Sequence, residues 1–487
     1  MISPVEIKKL TDLILKQNFI QQVKDAELLG RLLWHNHTGI YSLNEFEESL
    51  INNASHEIQK NSKTTQQNSS MLFVVTEAYL TGGHTRLMER LAQGVGENID
   101  LMVTRSVGAD VLQRLSNYFE NIICTPEEFE KNKKISFITN VLSSYKRVIL
   151  NIHPDDIMTI IACGVLKKSH IDVDVFFVNH ADHVFNYGST IADIWFQIST
   201  FGTKIDKLRG LKGAVSFLGI PIGNIKNSNV NDVNDVNDVN DVNDVNDVND
   251  TSLHFITAGA AEKYKPTNGY SIFPLLFLLL KKHKKSKLQA IGPNIARDYW
   301  WWLLKLRHPL RVKVSRRVPF DKYIYLTNHA DICIDSHPIP GGTAFAEQFI
   351  GGKVCVGLTS PFQGYTPVEL LKKEKKEDVS HLRQKNIEDK VSLLLPQFHG
   401  IDIVTARFND AIFEGKLAEN VCEKNLVWSG DVSYDWNKII RSIPADFPCG
   451  STVTKFAIKH SSLKAKIAYF SKKFIKVIMN FYFLKKR

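Results

Sequence analysis

Residues 335–347 read DSHPIPGGTAFAE. An aspartate closes an apolar run, a proline-rich turn follows, and Gly341-Gly342-Thr343 opens a helical pattern that carries Glu347. Without a Cβ, Gly341 and Gly342 let a ligand come close to the backbone. The first turn of the helix offers unpaired N–H groups and a positive dipole end, a ready site for an anion. Thr343 could cap that helix and give its hydroxyl to a phosphate. Glu347 stands four residues on and so shares the face of Thr343. A carboxylate there can accept both hydroxyls of a ribose. Anion at the helix end and sugar diol one turn along describe a nucleoside diphosphate site. Taken alone, the same letters also suit a plain Gly-rich turn with a surface glutamate.

A second stretch, FITAGAAEKYKPTNGYS (255–271), ends a strand in small residues and then supplies Lys263. Gly259 permits close approach there, and a lysine beyond a strand end can neutralise a diphosphate; a solvated charged loop is the plainer alternative. Four histidines follow apolar runs: His84 in a Gly-rich turn beside Gly83, His153 after RVILNI, and His180 and His183 after VDVFFVN, with Asp182 between them. In an open parallel sheet, ligands bind at the carboxyl ends of the strands. All four fall at such ends and so can line one crevice facing the second domain. A transfer reaction that attacks an anomeric carbon needs a base for the acceptor hydroxyl. His84, Asp182 and His183 are the candidates, with Asp182 acting directly or orienting a histidine. Gly83, His153 and His180 would line the acceptor side. His153-Pro154-Asp155-Asp156 also invites a metal reading, but Pro-Asp-Asp is a good helix start, and the cap is preferred.

These residues need a frame that presents strand ends. MLFVVTE (71–77), IDLMVTR (99–105), NIICT (121–125), RVILNIH (147–153) and VDVFFVNH (173–180) are short apolar runs separated by helical stretches. SLHFITAG, LQAIGP, RVKVSRRV, ADICIDSHP and KVCVGL form a second series. Such alternation marks parallel sheets with helices on both faces, an α/β chain with two Rossmann-like domains in tandem. The expected division is a helical N-terminal extension and linker (1–70), a first domain (71–229), an insert (230–250), a second domain (251–400), an unassigned stretch (401–454) and a tail (455–487). The insert repeats VND seven times. A period of three fits neither helix nor strand, and the composition favours a disordered loop over a calcium-binding repeat, whose Gly-rich turns are missing.

The net charge is +10, and Lys455–Arg487 holds ten Lys or Arg with no acid. The body is thus close to neutral, which argues against nucleic-acid binding and for a basic appendage. The tail mixes Lys with Phe, Tyr and Ile. It suits a helix lying on an anionic bilayer, or one packing across both domains. The six cysteines form no CxxC pair, so reduced, buried thiols are expected rather than a zinc site. No signal peptide and no run of membrane-spanning length is visible. The reading is a cytoplasmic protein, peripheral on the plasma membrane if the tail binds lipid.

The segments AGAAEKYKP, ADICIDSHP and GGTAFAEQFIGGKVCVGL resemble the nucleotide-binding domain of GT-B glycosyltransferases, the branch around O-linked N-acetylglucosamine transferases and bacterial relatives. VVTEAYLTGGHTRLMERLA and FFVNHADHVFNYGSTIADI resemble the acceptor-side domain of the same enzymes. The likeness covers roughly 71–375. It implies two domains facing a cleft, a nucleotide-sugar as substrate rather than any cofactor, and no metal. By position, Thr343 and the adjacent helix end would hold the diphosphate, Lys263 would neutralise it and Glu347 would bind the ribose, with Gly259, His337, Gly341 and Gly342 also on the donor-binding side. Retaining members often carry Glu-x7-Glu; here Ile339 stands eight residues before Glu347, which implies inversion. The implied reaction moves a sugar, expected to be from a UDP-sugar, to a lipooligosaccharide or surface polysaccharide. Transfer to protein Ser, Thr or Asn, an inactive partner subunit and a sugar-nucleotide epimerase are the alternatives.

Overall fold

The computed structural model describes residues 2–57, 68–80, 82–96, 98–223, 252–316, 318–380, 382–424, 430–432 and 440–484. The VND repeats lie outside them. The chain enters through three helices, α1 (Pro4–Leu15), α2 (Phe19–Trp34) and α3 (Asn44–Glu57). Ser3 and Glu6 form a capping box around Pro4 at the start of α1, and Asn18 caps α2. The first α/β unit then runs β1 (Asn68–Val75), α4 (Gly83–Val95), β2 (Ile99–Val103), α5 (Ala109–Leu115), β3 (Ile122–Cys124), α6 (Lys131–Leu142), β4 (Tyr145–Asn151), α7 (Ile157–Lys168), β5 (Asp174–Asn179), β6 (Ile194–Gln197), α8 (Thr200–Asp206) and β7 (Ala214–Phe217). Its seven strands lie in the order β3-β2-β1-β4-β5-β6-β7, all pairs parallel.

The second unit runs β8 (His254–Ala258), α9 (Phe273–Lys282), β9 (Lys287–Ile291), α10 (Trp302–Arg307), β10 (Val312–Ser315), α11 (Phe320–Asn328), β11 (Ile332–Ile334), α12 (Thr343–Ile350) and β12 (Val354–Val356). Its five strands, in the order β10-β9-β8-β11-β12, are again all parallel. Both orders reverse beside the first strand of the unit, and the reversal opens a crevice at the strand ends. The two units face each other across that crevice, which is the GT-B architecture.

Two strands escaped the reading of the sequence: β6 and β7. Each is four residues long and has no period of its own. They are strands because β5 supplies the edge: Phe177 pairs with Trp195, and the two rings stack at 4.2 Å. In the stretch PVELLKKEKK, Pro367–Leu371 forms a 3-10 turn and not an α-helix. The stretch after residue 384 forms α13 (Lys385–His399) and α14 (Ile401–Glu414), which cross back to the first unit. There Phe408 meets Phe73 and Phe196 on the first sheet, and Arg407 donates to the carbonyls of Leu218 and Phe398. A short α15 (Val421–Lys424) precedes α16 (Thr452–Lys459) and α17 (Leu463–Leu484).

Helices α1–α3 are a layer on the first sheet. Glu47 of α3 is buried and accepts the N–H groups of Gly188 and Thr190, and Tyr187 donates to the carbonyl of Ala26. The tail divides. α16 packs on α1 and α2, with Val453 and Ala457 in the core, while α17 buries Ala465 and Tyr469 and exposes its other large apolar side chains as far as Ile475. No helix among the described residues is long and apolar enough to cross a membrane.

Candidate active site

A cavity of about 600 Å³ opens between the units. Ten of the residues singled out from sequence line it: Gly83, His84, His180 and His183 from the first unit, and Gly259, Lys263, Gly341, Gly342, Thr343 and Glu347 from the second. His153, Asp182 and His337 do not. His153 sits behind His84, its ring 5.3 Å from that of Trp34, and burial pulls its imidazole down to about 2. His337 is buried beside Tyr270, and burial with the nearby Lys372 lowers it to about 4.

On the second unit, the loop after β11 is built on a buried charge network. Asp335 Oδ1 accepts the N–H groups of Ser336 and Gly341 at 2.8 Å, and its Oδ2 pairs with Lys372 Nζ at 2.6 Å. A Cβ at position 341 would stand 2.4 Å from Asp335 Oδ1, so only glycine fits there. Gly342 has a φ of +49° and takes the cap position of α12. Thr343, expected as the cap, is instead the first helical residue, and its hydroxyl lies 3.4 Å from where a Cβ on Gly83 would be, across the cleft. Lys263 donates to the carbonyl of Pro340 at 2.6 Å, so its ammonium lies against the same loop; burial, offset in part by Asp335, lowers its pKa.

The network continues. Lys372 also pairs with Glu369 at 3.3 Å, and Glu369 Oε2 accepts the N–H groups of Gly364 and Tyr365 at 2.6 and 2.9 Å. Burial works against the charge of Lys372, but Asp335 and Glu369 outweigh it and raise its pKa. One buried cation thus fixes two loops of the cleft, that of Gly341 and that of Tyr365. In an interior, such fully paired networks rigidify what they hold.

Tyr365 reaches across to the first unit. Its hydroxyl donates to Asp182 Oδ1 at 2.9 Å and lies 3.0 Å from His183 Nδ1. The hydroxyl has one proton, so His183 Nδ1–H donates to Tyr365 and leaves the Nε2 lone pair free. Ser199 donates to the other oxygen of Asp182, and the backbone N–H of Thr200 donates to the carbonyl of Gly364 at 2.9 Å. Asp182 is fully buried. It does not line the cavity between the units, and its two oxygens accept from Tyr365 and Ser199.

His84 is of another kind. Its Nε2–H donates to the carbonyl of Asn151 at 2.9 Å, and its ring packs 4.1 Å from that of His180. Burial lowers the pKa of both, and of His153 behind them. The three form a neutral imidazole cluster.

Glu347 is taken up by the opposite unit. Arg86 and Arg90, at i and i+4 on α4, each donate to one of its oxygens at 2.7 Å, and Glu347 is wholly buried. Arg90 also donates to the carbonyl of Pro221, in the segment that leaves the first unit, at 2.6 Å. To accept a ribose diol, Glu347 must release or share at least one arginine. The sequence reading missed Arg86, Arg90, Tyr365, Glu369 and Lys372. The only visible signal was the i,i+4 spacing of the two arginines.

No family model matches the chain, and no curated protein matches it. Solved structures do. A mutant O-GlcNAc transferase from Thermobaculum terrenum aligns at 10% identity over 82% of this chain and 81% of its own, with a TM-score of 0.48. HepE from Anabaena, in complex with UDP and glucose, aligns at 9% over 71% and 100%, with a TM-score of 0.49. UDP-GlcNAc 2-epimerase from Neisseria meningitidis, bound to UDP-GlcNAc, aligns at 12% over 71% and 100%, with a TM-score of 0.43. At 9 to 12% identity these are likenesses of chain path and not of side chains.

Proposed function

We propose that the chain is an inverting glycosyltransferase that moves a sugar from a UDP-sugar to a glycan acceptor of the lipooligosaccharide or surface-polysaccharide kind. One observation carries this reading: a cleft with an anion cradle on one wall and a carboxylate-backed histidine on the other. The cradle is Lys263, the N-terminus of α12 and the glycine loop before it. The histidine is His183, held by Tyr365 and Asp182.

The step follows. His183 Nε2 takes the proton of the acceptor hydroxyl as that oxygen attacks the anomeric carbon. The bond from that carbon to the diphosphate oxygen breaks, and its electron pair leaves on the diphosphate. Lys263 and the α12 N-terminus meet the charge that develops there. His183 suits the base better than His84 because Asp182, 3.5 Å from its Nδ1, stabilises the imidazolium that forms. His84 faces a neutral carbonyl and two other imidazoles, which makes protonation costly. Ile339 lines the cleft and carries no carboxylate to form a glycosyl-enzyme, which accords with inversion.

The test is thermal shift with UDP, GDP, CMP and ADP. UDP at about a hundred times its dissociation constant should stabilise by about 2.7 kcal/mol. Lys263→Ala should weaken UDP by roughly 10- to 100-fold, the loss of one charge-assisted bond, and leave uridine unchanged. Equal losses for UDP and uridine would remove Lys263 from the diphosphate. No shift with any nucleotide would favour the inactive-partner reading.

A further inference from the structure

Away from the cleft, the second unit exposes a row of large apolar side chains. Trp302, Leu303 and Leu306 project from α10, and Leu310 follows in the turn to β10; Leu306 is 76% and Leu310 94% exposed. Beneath them Trp301 and Leu304 are buried, so α10 is seated by one face and bare on the other. Scattered exposed leucines are ordinary, but a contiguous bare face marks an interaction surface. Phe470 and Phe474 of α17 are bare as well, and the start of α17 reaches the 3-10 turn just before α10: Lys464 donates to the Tyr299 hydroxyl at 2.9 Å, with its ammonium 5.0 Å from the ring centre.

Charge indicates what covers this face. Residues 299–316 contain Lys305, Arg307, Arg311, Lys313 and Arg316 and no acid. Lys281, Lys282, Lys284 and Lys285 at the end of α9 adjoin them, since Arg311 donates to the carbonyls of Leu280 and His283. On α17, Lys464, Lys466, Lys472 and Lys473 flank the phenylalanines. A protein partner of this chemistry would have to be both apolar and acidic over a wide area. An anionic bilayer is both, with headgroup charge at one depth and acyl chains just beneath.

We infer that α10 and its following turn, together with α17, form a composite docking surface for an anionic lipid bilayer. This differs from a basic tail acting as a tether: α10 belongs to the folded second unit, so docking fixes the orientation of the cleft. Trp301, the buried neighbour of the row, packs edge-on against Tyr264 at 5.4 Å, and Tyr264 follows Lys263 in the donor loop. The exposed row is thus linked to the donor loop through the Trp301–Tyr264 contact, an arrangement suited to an acceptor held in the membrane. The docking itself does not depend on the reading of the cleft.

The test is flotation of the full chain with vesicles of phosphatidylcholine containing 30% phosphatidylglycerol, and with phosphatidylcholine alone. Binding is expected to the first and at least tenfold weaker to the second, with a loss as salt rises. Leu306→Asp/Leu310→Asp should weaken binding to the anionic vesicles at least tenfold, and Phe470→Asp/Phe474→Asp likewise, with melting temperatures unchanged because all four side chains are exposed. Wild-type binding by the α10 variant would overturn the proposal in favour of a tail tether. Absence of binding by the wild type, or a wild-type dimer in sedimentation that the α10 variant splits, would overturn it in favour of another occupant.

Discussion

Glu347→Ala is expected to lower the melting temperature by several degrees and to weaken UDP binding, and the two effects have different causes. The carboxylate is fully buried and bridges Arg86 and Arg90 of the opposite unit. Removing one member of a buried ion pair typically costs about 3–5 kcal/mol, because the partner charges remain without compensation. Both arginines are mostly buried, so the cost falls near that range. Replacing all members of such a group by apolar side chains of similar volume is often neutral. Arg86→Met/Arg90→Leu/Glu347→Leu should therefore recover most of the melting temperature and still bind UDP poorly, since no carboxylate remains for the ribose. Calorimetry and titration with UDP separate the outcomes. Full UDP affinity in the triple variant would end the ribose assignment and leave Glu347 as a tie between the units. An unchanged melting temperature in Glu347→Ala would end the tie instead.

The parts of this site that were legible in the sequence are those whose physics is local. A strand that ends in Asp335, a turn with two glycines and a helix with Glu347 one turn in form a continuous pattern. The glycines could be read because the positions forbid a Cβ, and the structure shows what stands in its place: Asp335 Oδ1 at Gly341. Histidines after apolar runs could be placed at one rim because parallel strands all end on the same side. What was not legible depends on long-range pairing. Arg86 and Glu347 are 261 residues apart, and Tyr365 and Asp182 are 183 apart. Tyr365 sits in a loop with no periodicity, and its position is set by Glu369 and Lys372, two charged residues further along the chain. Strands β6 and β7 are too short to announce themselves, and tertiary pairing decides them. Asp182 was a reasonable base from its neighbours in sequence; its burial against Ser199 and Tyr365 is the ground on which we propose a positioning role for it instead.

That assignment yields the largest expected effect on turnover. His183→Ala should lower kcat by roughly 10²–10⁴, the usual contribution of a positioned general base, with UDP affinity unchanged. Tyr365→Phe removes the link from His183 Nδ1 to Asp182 and should lower kcat by about tenfold or more while KM for the donor stays within twofold. A merely structural defect would shift stability and KM together. The relay makes a sharper demand. Asp182, Tyr365 and His183 act as one unit, so their losses should not add. Asp182→Asn/Tyr365→Phe should turn over about as slowly as the worse of the two single variants. Additive losses would mean that Tyr365 and Asp182 work independently, and a His183→Ala enzyme that keeps its rate would move the base to His84. Tyr365 comes from the second unit and His183 from the first, so the proposed relay is built across the cleft.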